Sequence, residues 1–143
     1  MAGQVFGLDF GTTNSLLSII GRDDLPIHLL DKTGRPHPSV AWYRGGEVVV
    51  GRDAREHLDA GTDAITGSFV RSPKRLLAQE APVHVGGRDL DPRDVIAEVL
   101  RFLRDNAASP HEYQVQNAVM TIPVKLDGAG RRRLREAARK AGI

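Results

Sequence analysis

Residues 5–20, VFGLDFGTTNSLLSII, decide the fold. Val5 to Asp9 alternates apolar with small residues and ends on a carboxylate, and Leu16 to Ile20 is nearly all apolar and suits a buried strand. Between them, Gly11-Thr12-Thr13-Asn14-Ser15 lets the chain double back. Glycine permits positive φ and close backbone approach. Successive N–H groups in such a turn form an anion-binding concavity, and the hydroxyls of Thr12, Thr13 and Ser15 add donors. Asp9 is a hard oxygen ligand suited to hydrated Mg²⁺. A carboxylate beside a phosphate cradle repels its ligand unless a cation lies between them. The stretch therefore predicts a metal–nucleotide site; the alternative is an ordinary β-hairpin whose polar turn faces water.

At 143 residues the chain fits one domain. Apolar content of 41% with 27% charged residues places it among soluble globular proteins rather than disordered ones. It has no cysteine, which excludes a disulfide framework and a cysteine metal site. MAGQVFGLDF lacks the pattern of a secretory signal, and no apolar run approaches a membrane span of ~20 residues. These absences point to a cytoplasmic protein without membrane contact. Net charge is +2, with the basic excess gathered in RRRLREAARK near the C-terminus.

Beyond the first hairpin, Pro26 to Leu30 reads as a third strand and Asp31 to Pro38 as a loop dense in turn residues. Ser39 to Tyr43 and Glu47 to Val50 predict a hairpin around Gly45-Gly46. Asp53 to Leu58 predicts a short helix, and Gly61 to Ser72 reads as irregular. Pro82 to Leu90 predicts a second hairpin around Gly86-Gly87. Asp91 as N-cap and Pro92 as first residue open the most helical stretch. Its Val95, Ile96, Val99, Leu100, Phe102 and Leu103 form one apolar face, read as core; Asn106 to Pro110 ends it. Val115 to Pro123 predicts a strand, and Asp127 caps a last helix, Gly130 to Ala141, striped by Leu134, Ala137, Ala138 and Ala141. The five histidines show no metal-ligand spacing and read as structural or surface groups. There is no GxxxxGK[ST], so nucleotide would not be held by a P-loop.

GLDFGTTNS resembles the first phosphate loop of the actin-like ATPases, and of DnaK-type (seventy-kilodalton heat-shock) chaperones in particular. Three further stretches are similar: Pro38-Ser39 leading through an apolar strand to Val50-Gly51 and Ala54, Lys74-Arg75-Leu76, and Ala118 to Pro123. The resemblance covers the chain from its second or third residue to Ile143. It implies an α/β fold, lobe I of an actin-like (ribonuclease-H-like) ATPase. That lobe has a mixed sheet of antiparallel N-terminal strands plus one parallel strand, flanked by helices, and is an incomplete domain. A core subdomain would span about 1–36 and 112–143, with an inserted subdomain of about 37–111. The implied function is the N-terminal portion of an ATP-dependent molecular chaperone. It would bind ATP or ADP with Mg²⁺ and couple hydrolysis to binding and release of unfolded polypeptides, with co-chaperones as further partners.

Residue by residue, the resemblance has Asp9 hold Mg²⁺ through water. Gly11, Thr12 and Thr13 would bind the β- and γ-phosphates, with Asn14 supporting the turn. Lys74 would place the attacking water; an ammonium is a compact, rotatable donor suited to that task. The alternative for Lys74 is a solvated lysine at a helix start after Pro73. Pro123 and Arg131 match two positions that couple ATP state to chaperone action, while Val124 to Asp127 departs from the family's pattern. Arg131 equally reads as part of a solvated helix face with Arg132, Arg133 and Arg135.

The family's second phosphate loop, its adenosine motif, its other lobe and its peptide-binding domain have no match in these residues. Weak ATP affinity and little or no turnover are therefore expected of the chain alone. An unpaired apolar edge near residues 117–122 predicts self-association. Two other classes stay open. One is a different actin-like protein, a sugar kinase or a bacterial cytoskeletal or cell-division protein. The other is a nucleic-acid-binding module acting through RRRLREAARK. Without interleaved aromatics that run reads as solvated, so no nucleic-acid partner is expected.

Overall fold

The computed structural model describes residues 5–20, 23–61, 68–111, 113–121 and 125–143. In chain order its elements are strands β1 (Phe6–Phe10), β2 (Asn14–Ile20), β3 (Pro26–Leu29), β4 (His37–Pro38), β5 (Ala41–Arg44) and β6 (Glu47–Val50), then helix α1 (Arg52–Asp59). There follow β7 (Phe69–Val70), a 3₁₀ helix over Pro73–Ala78, β8 (Val83–Val85), β9 (Arg88–Leu90), α2 (Pro92–His111), β10 (Ala118–Met120) and α3 (Gly128–Ala141).

The principal sheet has the order β10-β1-β2-β3, with β4 also paired to β2. β1, β2 and β3 are antiparallel, and β10 runs parallel to β1. This is the mixed sheet expected, with one parallel strand. A second sheet, β6-β5-β7, and the hairpin β8-β9 complete the strands.

β1 shows why the sheet has a core side. Phe6, Leu8 and Phe10 are buried while Gly7 and Asp9 face out, the period-two pattern of a half-buried strand. β2 follows the same rule: Ser15, Leu17 and Ile19 are buried and Asn14 is exposed. It is not buried on both faces, as its apolar run suggested. α2 and α3 cover the core side, burying Val95, Ile96, Val99, Leu100 and Leu103 from one and Leu134, Ala137, Ala138 and Ala141 from the other. Full burial of each large side chain stabilises by roughly 1.5–3 kcal/mol. The opposite face carries Val119, 68% exposed.

Helix ends follow local chemistry. Asp91 Oδ1 accepts the Arg93 N–H at 2.9 Å, and Asp127 Oδ1 accepts the Gly130 N–H at 2.7 Å. Gly142, in the left-handed region at φ 83°, closes α3.

Several expectations shift. His37–Pro38 is a strand rather than loop, because it finds Asn14 and Ser15 as partners. Phe69–Val70, within the stretch read as irregular, pairs with Ala41 and Trp42. α2 runs past Pro110 to His111; a proline in the last turn removes one ladder hydrogen bond. α3 begins at Gly128, two residues early. Of the strand read over Val115 to Pro123, Ala118–Met120 is strand and Val115 to Asn117 and Thr121 are not, while 122–123 lie outside the described residues.

Candidate functional site

The turn between β1 and β2 is shorter than expected: only Gly11, Thr12 and Thr13 lie outside the strands, since Asn14 and Ser15 are already paired to β4. A Cβ built on Gly11 would collide with the Asn14 carbonyl oxygen. Glycine is therefore required by close approach, not by positive φ. Among the described residues, the Thr12 and Thr13 N–H groups and hydroxyls have no acceptor in the protein. Thr12 is half-buried and Thr13 and Asn14 are exposed. Unpaired donors in a row at a tight turn are what an anion needs.

Beneath the turn the two serine hydroxyls are paired. Ser39, 0% exposed, donates its hydroxyl to the Gly11 carbonyl at 2.9 Å and its N–H to the Thr13 carbonyl at 2.8 Å. Its oxygen lies 2.7 Å from that of Ser15, also buried; the Ser15 hydroxyl, expected among the anion's donors, is therefore engaged beneath the turn and is not one of them. Beside it, His37 Nε2 lies 3.0 Å from the Leu29 carbonyl. A carbonyl only accepts, so Nε2 carries the proton. The ring's Nδ1 is buried without a partner.

Asp9 ends on the outward face of β1, opposite Leu16. It accepts one hydrogen bond, from Thr121 Oγ1 at 3.0 Å, and among the described residues it enters no ion pair. Thr121 is fixed there by its own N–H to the Leu8 carbonyl, 3.2 Å. No group of three or more acidic or histidine side chains that could hold a metal occurs among the described residues. A single carboxylate fits only a cation that keeps most of its waters and takes other ligands from phosphate, which describes Mg²⁺.

Three arginines flank the turn. A cleft of about 350 Å³ is lined by Thr13 and Asn14 on one side and Arg35, Arg52 and Arg55 on the other. Arg52 Nε is bound to Asp31 at 2.9 Å and Arg55 Nε to Asp59 at 3.1 Å.

Lys74 sits in the first turn of the 3₁₀ helix, after Pro73, half-buried and without an ion pair among the described residues. Arg133 anchors that helix to α3 through the Leu77 carbonyl at 2.6 Å and Glu80 at 2.9 Å. No hydrogen bond joins Lys74 to the turn. Arg131 is exposed on the first turn of α3, at the rim of a groove of about 390 Å³ floored by Ala118, Met120 and Leu134. Pro123 lies outside the described residues.

Comparison with known proteins decides what this arrangement belongs to. The family model described as Hsp70 protein matches residues 5–79 and 68–143. The chain belongs to the Hsp70 family. Similar proteins include the chaperone protein DnaK of Mycoplasmopsis agalactiae, 33% identical over 97% of this chain and 22% of its own length. That of Metamycoplasma hominis is 34% identical over the same shares. The DnaK of Deinococcus radiodurans is 33% identical over 98% of this chain and 25% of its own length. The chain thus spans about a quarter or less of the length of the relatives it matches. Within this Hsp70 family member the mixed sheet and flanking helices fit part of an actin-like ATPase lobe, and nothing favours the sugar-kinase or cytoskeletal alternative.

Sequence reasoning missed Ser39 as a support and Thr121 as the partner of Asp9. Pro38-Ser39 stands out in the sequence, but its link to the turn depends on a strand two residues long.

Proposed function

We propose that this chain supplies the phosphate and magnesium side of the nucleotide site of an ATP-dependent chaperone. The intact protein would bind ATP-Mg and use its hydrolysis to bind and release unfolded polypeptides, helped by co-chaperones, in the cytoplasm. One observation carries the reading: among the described residues, the donors of Thr12 and Thr13 are unpaired and the Asp9 carboxylate enters no ion pair.

In this reading Gly11, Thr12 and Thr13 receive the β- and γ-phosphates, and Asn14 holds the turn to β4. Asp9 orients water in the shell of Mg²⁺, which when bound neutralises phosphate charge. Lys74 places the attacking water once the site is closed. Residues 1–36 and 112–143 would act as a core subdomain, with 37–111 inserted. Pro123 and Arg131 would relay ATP state to the chaperone machinery. The chain by itself, a fraction of its relatives' length, would bind nucleotide weakly and turn it over little or not at all, because positioning supplies much of phosphoryl-transfer catalysis. β10 lies at the end of the sheet order, and its open edge would draw copies of the isolated chain together.

The test is Asp9→Asn in the whole protein. Mg²⁺-dependent ATP affinity should fall about tenfold, equivalent to ~1.4 kcal/mol, with Mg²⁺-free affinity unchanged. Equal affinity and turnover would remove Asp9 from the site.

A further inference from the structure

We infer that Ser39 is a positioning residue for the phosphate turn: from beneath, it fixes the direction in which the Thr12 and Asn14 N–H groups point. The inference rests on the phosphate-site reading above.

The hydrogen-bond directions follow from the acceptors. The Gly11 carbonyl can only accept, so the proton of Ser39 lies toward it. With that proton committed, the 2.7 Å contact with Ser15 must be donated by Ser15. The result is a one-way relay, Ser15 hydroxyl to Ser39 hydroxyl to Gly11 carbonyl, sealed from water at 1% and 0% exposure. The Ser39 N–H meanwhile takes the Thr13 carbonyl. One residue therefore captures two carbonyls of a three-residue turn.

A trans peptide is planar, and its N–H points opposite to its C=O; no cis bond occurs among the described residues. Drawing the Gly11 carbonyl down toward Ser39 turns the Thr12 N–H up, away from it. Drawing down the Thr13 carbonyl turns the Asn14 N–H the same way. The buried serine thus sets the direction of N–H donors that it does not itself bond. Alanine at this position would leave the part-buried Gly11 carbonyl without this hydrogen bond. The peptide would then be free to rotate toward water, and the Thr12 N–H would rotate with it.

A loss of general stability is separable from a loss of positioning. Ser15→Ala also removes a buried hydroxyl but leaves the Ser39–Gly11 bond in place. The probe is magnesium tripolyphosphate, titrated into this chain and followed by amide chemical shifts, with thermal unfolding of each variant alongside. The unaltered chain should bind with shifts centred on Thr12 and Thr13. Ser39→Ala should weaken binding about five- to tenfold, the factor set by one hydrogen bond's worth of ordering. Ser15→Ala should lose a comparable amount of thermal stability yet bind within about twofold of the unaltered chain. Ser39→Cys, a near-isostere with a weak donor, should fall between, and it carries the test if Ser39→Ala does not fold.

If Ser39→Ala (or Ser39→Cys in its place) binds like the unaltered chain, the positioning role is wrong while the phosphate site stands. If Ser15→Ala weakens binding as much, the effect is general loosening and the inference fails. If the unaltered chain shows no shifts at Thr12 and Thr13, the phosphate-site reading falls and takes this inference with it.

Discussion

Asp31 offers the sharpest test of the architecture behind the turn. Its side chain, 3% exposed, accepts the Thr33 N–H at 2.8 Å and hydroxyl at 2.6 Å, the Arg35 N–H at 3.2 Å and Arg52 Nε at 2.9 Å. Burial is the largest single influence and pushes its pKa up. The bonds from Thr33, Arg35 and Arg52 together outweigh burial and hold the group at about 2, against an ordinary 3.8. A carboxyl depressed on folding stabilises above its unfolded value and loses that contribution as pH falls through the folded one. The window here runs from about 4 down to about 2. At ~1.36 kcal/mol per pH unit the contribution is about 2 kcal/mol. Asp31→Ala should therefore lower the unfolding free energy by about 2 kcal/mol at pH 7, or about 6 °C in Tm for a chain of this size. Urea unfolding can be followed by the emission of Trp42, the only tryptophan, which is buried and stacked on Phe69. The gap between the two proteins should narrow below pH 4 and largely close near pH 2. Asp31→Asn keeps an acceptor for Thr33 and Arg35 but turns an amide N–H₂ toward Arg52, so it should lose an intermediate amount. A gap that is the same at pH 7 and pH 3, or below about 0.5 kcal/mol at pH 7, would refute the reasoning.

Three further outcomes are expected. Gly11→Ala should destabilise the chain by roughly 1–3 kcal/mol and abolish phosphate binding, because its Cβ would collide with the Asn14 carbonyl; chemical denaturation and the tripolyphosphate titration read the two effects. Gly51→Ala should cost a similar ~1–3 kcal/mol while leaving phosphate binding intact, since Gly51 sits at φ 87° with the Phe102 ring 2.8 Å from where a Cβ would be. Val119→Lys, on the exposed face of the edge strand, should reduce self-association of this chain by light scattering at high concentration; unchanged association would move the contact elsewhere.

What was legible in the sequence was whatever had a local cause. The alternation of Phe6, Leu8 and Phe10, the glycine pairs of the hairpins, the apolar face of α2 and the cap at Asp127 each depend on residues a few positions apart. β4 and β7 were not legible, because two residues carry no periodicity and gain strand geometry only from distant partners. The same holds at the site. Gly11, Thr12, Thr13 and Asp9 announced themselves as a contiguous motif. Ser39 lies 28 positions from Gly11 and Thr121 lies 112 positions from Asp9, and only the completed sheet brings them together. Lys74 shows the converse. Its sequence context named a role, yet its helix is fastened to α3 through Arg133 and gives it no bond to the turn.

The way β4 passes into the second sheet has a mechanical consequence. Ser39 grips the turn, Val40 accepts the Gly51 N–H at 3.0 Å, and Ala41 already opens β5. No slack backbone separates the two sheets at this point. A few degrees of tilt in the outer sheet must pull on the Gly11 carbonyl, as a short rein moves a bit. Whatever grips that sheet from outside thereby acquires a handle on the loop.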